Sequence, residues 1–141
     1  MRIMLIGDVH GDAEWVTDTL IPTAIEREVN YMFALGDWGF YPELYAGRAF
    51  LDLVDYHLPE NMDLLFLRGN HEDQDALDAF NRVGGPVRVR KQVWFSPDGT
   101  VLHFGGVRFM SLGGGISVNK SDLLERGKAA GTKLWFPQEG L

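Results

Sequence analysis

The chain opens with a short apolar run, Arg2-Ile3-Met4-Leu5-Ile6, closed by Gly7, and the same unit returns twice. Residues 30–35, Asn-Tyr-Met-Phe-Ala-Leu, end at Gly36, and residues 63–67, Asp-Leu-Leu-Phe-Leu, lead through Arg68 to Gly69. Short, nearly continuous apolar runs bounded by glycine predict buried strands. Between them the period changes. Asp12 is placed to cap a helix running to about Glu28, with a rough stripe through Trp15, Val16, Leu20, Ala24 and Ile25. Pro22 interrupts it and predicts a kink or a break. Residues 43–57 predict a helix that turns Leu44, Phe50, Leu51, Val54 and Leu58 to one side, and Asp73 to Asn81 a short one.

After Gly84-Gly85-Pro86 the character shifts to three β-type runs, at 87–95, 100–104 and 107–112. They are separated by Ser96-Pro97-Asp98-Gly99 and Gly105-Gly106, both hairpin signals. A short helix is expected near Ser121 to Ala130. Strands alternating with helices and then followed by antiparallel hairpins predict an α/β domain that starts with a parallel sheet.

The strand ends carry the chemistry. "LIGDVHG" (5–11), "ALGDWG" (34–39) and "FLRGNHE" (66–72) each run from an apolar strand through glycine into Asp or Asn. In a parallel sheet these ends share one edge, where ligands bind. Asp8 and His10 are two apart, so in extended chain they point the same way while Val9 points inward. Asp37 offers a carboxylate able to bridge two ions, and Asn70 a neutral amide oxygen. The chain has no cysteine, so a metal would rest on Asp, Glu, Asn, His or backbone oxygen. Two divalent ions about 3.5–4 Å apart would suit hydrolytic phosphoryl transfer.

Composition narrows the partners. A chain of 141 residues favours one domain. Its formal charge of −7 argues against broad binding to a nucleic-acid backbone, though metal ions could supply positive charge locally to a phosphate. No apolar run approaches a membrane span, and the start lacks a long apolar core with a small-residue cleavage site. A cytoplasmic protein is the expectation.

Taken together, Asp8-x-His10-Gly11, Gly36-Asp37 and Gly69-Asn70-His71-Glu72 resemble the calcineurin-like metallophosphoesterases. "GDWGF" (36–40), "GGVRFMSLGGGISV" (105–118) and the terminal "LWFPQEGL" resemble the small bacterial and phage members. The resemblance implies the N-terminal part of an αββα sandwich. It implies a phosphomonoesterase or phosphodiesterase that uses a metal-activated water and two divalent ions: manganese first, with iron, zinc, nickel or magnesium as alternatives. It implies Asp8 and His10 on the first metal, Asp37 shared by both, Asn70 on the second metal and a phosphate oxygen, and His71 at the leaving oxygen. The substrate would be a small phosphoester or nucleotide, with nucleic acid not indicated by the charge.

The chain departs from that pattern in two places. The family carries further histidines, including Gly-His-x-His, where this sequence reaches Leu141, so residues 1–141 are expected to form a single, C-terminally incomplete domain. His57 and His103 match no family motif. This leaves an alternative class, an inert binding module that keeps the fold, and self-association that completes the site. Secondly, protein serine/threonine phosphatases follow Gly-Asp with Val-Asp-Arg-Gly, whereas here Trp38-Gly39-Phe40-Tyr41-Pro42 stands, which disfavours that class. The usual aspartate orienting the histidine is missing, with Glu72, Asp73 or Asp75 as candidates. Trp38, Phe40 and Tyr41 are expected to cover the core rather than to stack a base. "GGISVNKS" (114–121) departs from a phosphate-binding loop at Asn119 and is expected to be a tight turn. Glu72, Asp73, Asp75 and Asp78 are expected mostly as solvated helix-start residues.

Overall fold

In the computed structural model, which describes residues 1–80 and 84–139, the three early apolar runs are adjacent parallel strands. They are β1 (Ile3–Ile6), β2 (Tyr31–Ala34) and β3 (Asp63–Phe66). Ile6 pairs with Ala34, and Ala34 with Phe66, so the strands end level and their following loops emerge on one rim. Alternate residues go to opposite faces. Met4, Ile6, Met32, Ala34, Leu64 and Phe66 join the main core under the helices, while Phe33 and Leu65 join a smaller core on the other face.

Asp12 caps as expected, its carboxylate accepting the Trp15 N–H at 3.0 Å. The helix is built in pieces: α1 (Ala13–Trp15), a wide π turn (Val16–Leu20) and α2 (Ile21–Glu26). Pro22 sits in the first turn of α2, where a missing N–H is tolerated, so the wide turn absorbs the proline and the helical path continues. α3 (Tyr45–His57) buries Phe50, Leu51 and Val54, and Leu58 follows inside the core. Leu44 is a correction. It lies just outside the helix in an extended conformation and is 43% exposed, off the expected stripe. α4 (Gln74–Asp78) starts at Asp73, whose carboxylate accepts the Ala76 N–H at 3.1 Å. Asn81, the expected end of that helix, lies outside the described residues.

The later strands also correct the sequence reading. β4 (Val87–Arg88) and β5 (Val93–Phe95) extend the first sheet, β5 parallel to β3 and β4 antiparallel at the edge. Val93 and Phe95 thereby bury completely beside Leu64 and Phe66. Burial of those two side chains decides the pairing over the turn signal that follows. Ser96–Gly99 is therefore a crossover, not a hairpin. It leads to a separate ribbon of β6 (Val101–Phe104) and β7 (Val107–Met110), joined through Gly105-Gly106 as expected. The ribbon lays Leu102, Phe104 and Phe109 over Phe33 and Leu65. Leu5 and Leu35 remain exposed.

α5 (Lys120–Ala130) ends at Gly131, whose φ of +64° supplies the left-handed cap. Beyond it Phe136 is buried, and Lys133 and Gln138 both bond the Asp75 carboxylate. The α/β class stands: a mostly parallel sheet followed by an antiparallel hairpin.

Candidate metal centre

The loops after β1, β2 and β3 are knitted to each other by backbone bonds. His10 N–H donates to the Asp37 carbonyl at 2.7 Å, and Gly11 N–H to the Trp38 carbonyl at 2.9 Å. From the third loop, His71 N–H donates to Asp37 Oδ1 at 2.9 Å. The second carboxylate oxygen of Asp37 is left facing His10, 3.8 Å from Nε2. The His10 and His71 rings meet edge-on, with centroids 4.9 Å apart. Each of His10, Asp37 and His71 thus offers a ligand atom, all within 4.8 Å of one another.

Tight backbone makes this approach fit. A side chain on Gly69 would collide with the Asp37 carboxylate and backbone, so only glycine lets the two loops meet. Asp8, His10 and Asp37 have φ of +41°, +53° and +49°. They are three of the four non-glycine residues in that region among those described. Such conformations cost roughly 1–3 kcal/mol each and cluster at functional sites. The extended geometry expected at Asp8-Val9-His10 is therefore corrected. Val9 is buried and its neighbours are exposed, as anticipated, but a left-handed turn produces this.

Glu72 is the residue the sequence reading undervalued. It is fully buried, and its carboxylate accepts the Gly39 N–H at 3.1 Å and the Gly69 N–H at 2.6 Å. It straps the loop bearing Asp37 to the loop bearing Asn70 and His71. Burial pushes its pKa up to about 7, the backbone N–H groups of Gly39 and Gly69 oppose this, and the nearby Asp37 charge adds to it. Because it faces those amides, Glu72 does not orient the His71 ring. Asp73 caps α4, and Asp75 is held by Lys133 and Gln138, so each of the three candidate orienters is engaged elsewhere.

Asn70 is fixed from the far side of the chain. Its Nδ2 donates to the Ser117 hydroxyl at 3.1 Å, leaving Oδ1 as the free acceptor. Ser117 is buried, and its N–H donates to Glu139 at 3.2 Å. Gly115 passes so close that a Cβ there would stand 2.9 Å from Asn70 Oδ1. The glycine run is therefore not the expected tight turn, which comes later at 118–119; Gly113 passes close to the Arg68 backbone and Gly115 walls Asn70. Ser117→Ala should weaken Mn²⁺ binding about tenfold, in the range for outer partners of metal ligands. Calorimetric titration checks this, and urea denaturation should show a stability change within about 1.5 kcal/mol.

Asp8 is exposed at the end of β1 and is not one of the three clustered ligands. His57, exposed at the end of α3, and His103, exposed on β6, also stand outside the cluster. Trp38 and Phe40 are buried in the core, as expected, whereas Tyr41 is half-buried. A cavity of about 400 Å³ beside α5 has neither carboxylate nor imidazole in its wall. Arg68 is buried and committed to Gln74, Asp78 and Asp98, so its cation is not turned to a phosphate. Imidazole nitrogens, a carboxylate and a neutral amide oxygen form a donor set that suits a divalent transition ion.

A family model described as calcineurin-like phosphoesterase matches residues 1–140. Comparison with curated proteins and with solved structures finds no significant match.

Proposed function

The chain belongs to the calcineurin-like phosphoesterase family, and from that premise we propose that it is a hydrolase of small phosphomonoesters or phosphodiesters, working in the cytoplasm. The observation that carries this reading is the approach of His10, Asp37 and His71, from three different strand ends, to within 4.8 Å. In this reading Asp8 and His10 would hold one divalent ion, Asp37 would be shared with a second, and Asn70 would serve the second ion and a phosphate oxygen. Manganese is the proposed ion. Divalent ions bound there supply positive charge to the phosphoryl oxygens and acidity to the attacking water.

The chain's own residues do the positioning. Asp37 Oδ1 fixes the His71 backbone, which sets the imidazole against the His10 ring, where it would give its proton to the leaving oxygen rather than bind an ion. Ser117 takes the Asn70 Nδ2–H and so leaves the amide oxygen as the atom available to an ion. With Arg68 engaged and a formal charge of −7, the site's affinity for an anionic substrate must come from bound cations. Among the described residues no helix is long and apolar enough to cross a membrane.

The test is hydrolysis of 4-nitrophenyl phosphate and bis(4-nitrophenyl) phosphate with Mn²⁺. Turnover should vanish in EDTA and fall roughly 10²–10⁴-fold in His71→Ala, the usual worth of a positioned proton donor. Fewer than one ion bound per chain after Mn²⁺ loading, with no turnover, would sink the proposal and favour an inert binding module.

A further inference from the structure

We propose that the cavity beside His71 seats the leaving group of the substrate and selects an aromatic one. This rests on the phosphoesterase reading above, since it places the leaving oxygen next to His71. The carbon skeleton beyond that oxygen must then enter whatever space His71 borders. That space is a cavity of about 260 Å³, with His10 and His71 on one side and Tyr41, Leu44, Ala46 and Phe50 among the others. A dry cavity of about 150 Å³ already accepts benzene, so this one has room for a substituted ring or a fused bicycle.

The wall chemistry favours a flat apolar group. No Lys, Arg, Asp or Glu lines the cavity. Burial, reinforced by the charges of Glu72 and Asp37, pushes the Tyr41 phenol up, so it stays neutral. A leaving group bearing its own phosphate would find no lysine or arginine there.

The walls are also held in place. The Tyr41 carbonyl accepts the Leu44 N–H at 3.1 Å, and Gly47 packs so tightly on Tyr41 that a Cβ would collide with that carbonyl. Leu44, left exposed by the fold, would be covered by the bound ring.

Three probes test the proposal. Calorimetry with Mn²⁺-loaded protein should find phenylphosphonate bound about tenfold more tightly than methylphosphonate, as burial of one ring implies. Ala46→Leu, which fills the cavity from an exposed helix position, should bring that ratio toward one. Leu44→Ala, which removes a wall, should also lower it. Phenol, titrated into metal-free protein by NMR, should shift the Leu44 and Ala46 methyl signals. Equal affinities for the two phosphonates with no phenol shifts would overturn the proposal. Phenol shifts with neither phosphonate bound would sustain the ring-binding cavity and sink the phosphoesterase reading.

Discussion

Asp37→Asn is expected to lower Mn²⁺-dependent turnover of bis(4-nitrophenyl) phosphate by more than about 100-fold, since even outer partners of metal ligands are worth about 10–100-fold. The fold should persist. An asparagine oxygen still accepts the His71 N–H that now bonds Oδ1 at 2.9 Å, and the Asp37 carbonyl that takes the His10 N–H is untouched. The φ of +49° is one that asparagine tolerates as well as aspartate does. What disappears is the negative charge, including the oxygen 3.8 Å from His10 Nε2. Calorimetric Mn²⁺ titration should show the loss of at least one ion. Thermal unfolding in EDTA should match the wild type, because a charge beside buried Glu72 has been removed at no cost in hydrogen bonds. Near-normal turnover with full metal content would take Asp37 out of the centre.

The three strand ends were legible because each writes its fate locally: an apolar run, a glycine, then a short polar side chain. That pattern placed Asp37 and His71 on one rim, with His10 beside them, through the level register of β1, β2 and β3. Asp12 and Asp73 were legible as caps for the same reason, since a cap bonds only three residues ahead. The partners that hold the site together are not local. Glu72 bonds Gly39, 33 positions away, and Asn70 bonds Ser117, 47 positions away. In sequence Glu72 opens an acidic run that reads as a solvated helix start; exposed Asp75 fits that, whereas Asp73 is half-buried at the cap and Asp78 pairs with buried Arg68. The burial of Glu72 is dictated by two loop amides that no periodicity records. β5 was misread for a related reason. A turn signal after Phe95 says that the chain changes direction, but not which strand Val93 and Phe95 have already joined. The glycines at 113–115 read as a tight turn, whereas Gly113 and Gly115 serve close approach to Arg68 and Asn70, partners that only the fold names.

The strap formed by Glu72 leads to the largest expected effect on stability. Glu72→Ala strands the buried N–H groups of Gly39 and Gly69, and at about 1–3 kcal/mol for each unsatisfied donor it should destabilise the protein by roughly 2–6 kcal/mol. That is a large part of the ~5–15 kcal/mol typical of a domain. Glu72→Gln should fall between, because its oxygen serves one amide while its NH₂ faces the other. Both variants also lose a pH dependence that the wild type has in metal-free protein. Burial raises the Glu72 pKa in the fold from 4.5 to about 7, so between these values the folded chain holds more protons than the unfolded one. Unfolding free energy therefore falls as pH rises through that window. Glutamine has no proton to lose. The penalty of Glu72→Gln relative to wild type should shrink between pH 5 and pH 8, while Glu72→Ala stays the less stable variant at both. Urea denaturation in EDTA at the two pH values measures this. A penalty below about 1 kcal/mol for Glu72→Ala, unchanged with pH, would mean that the two loops meet without the strap, leaving Asp37 and its bond to the His71 backbone to hold the rim together.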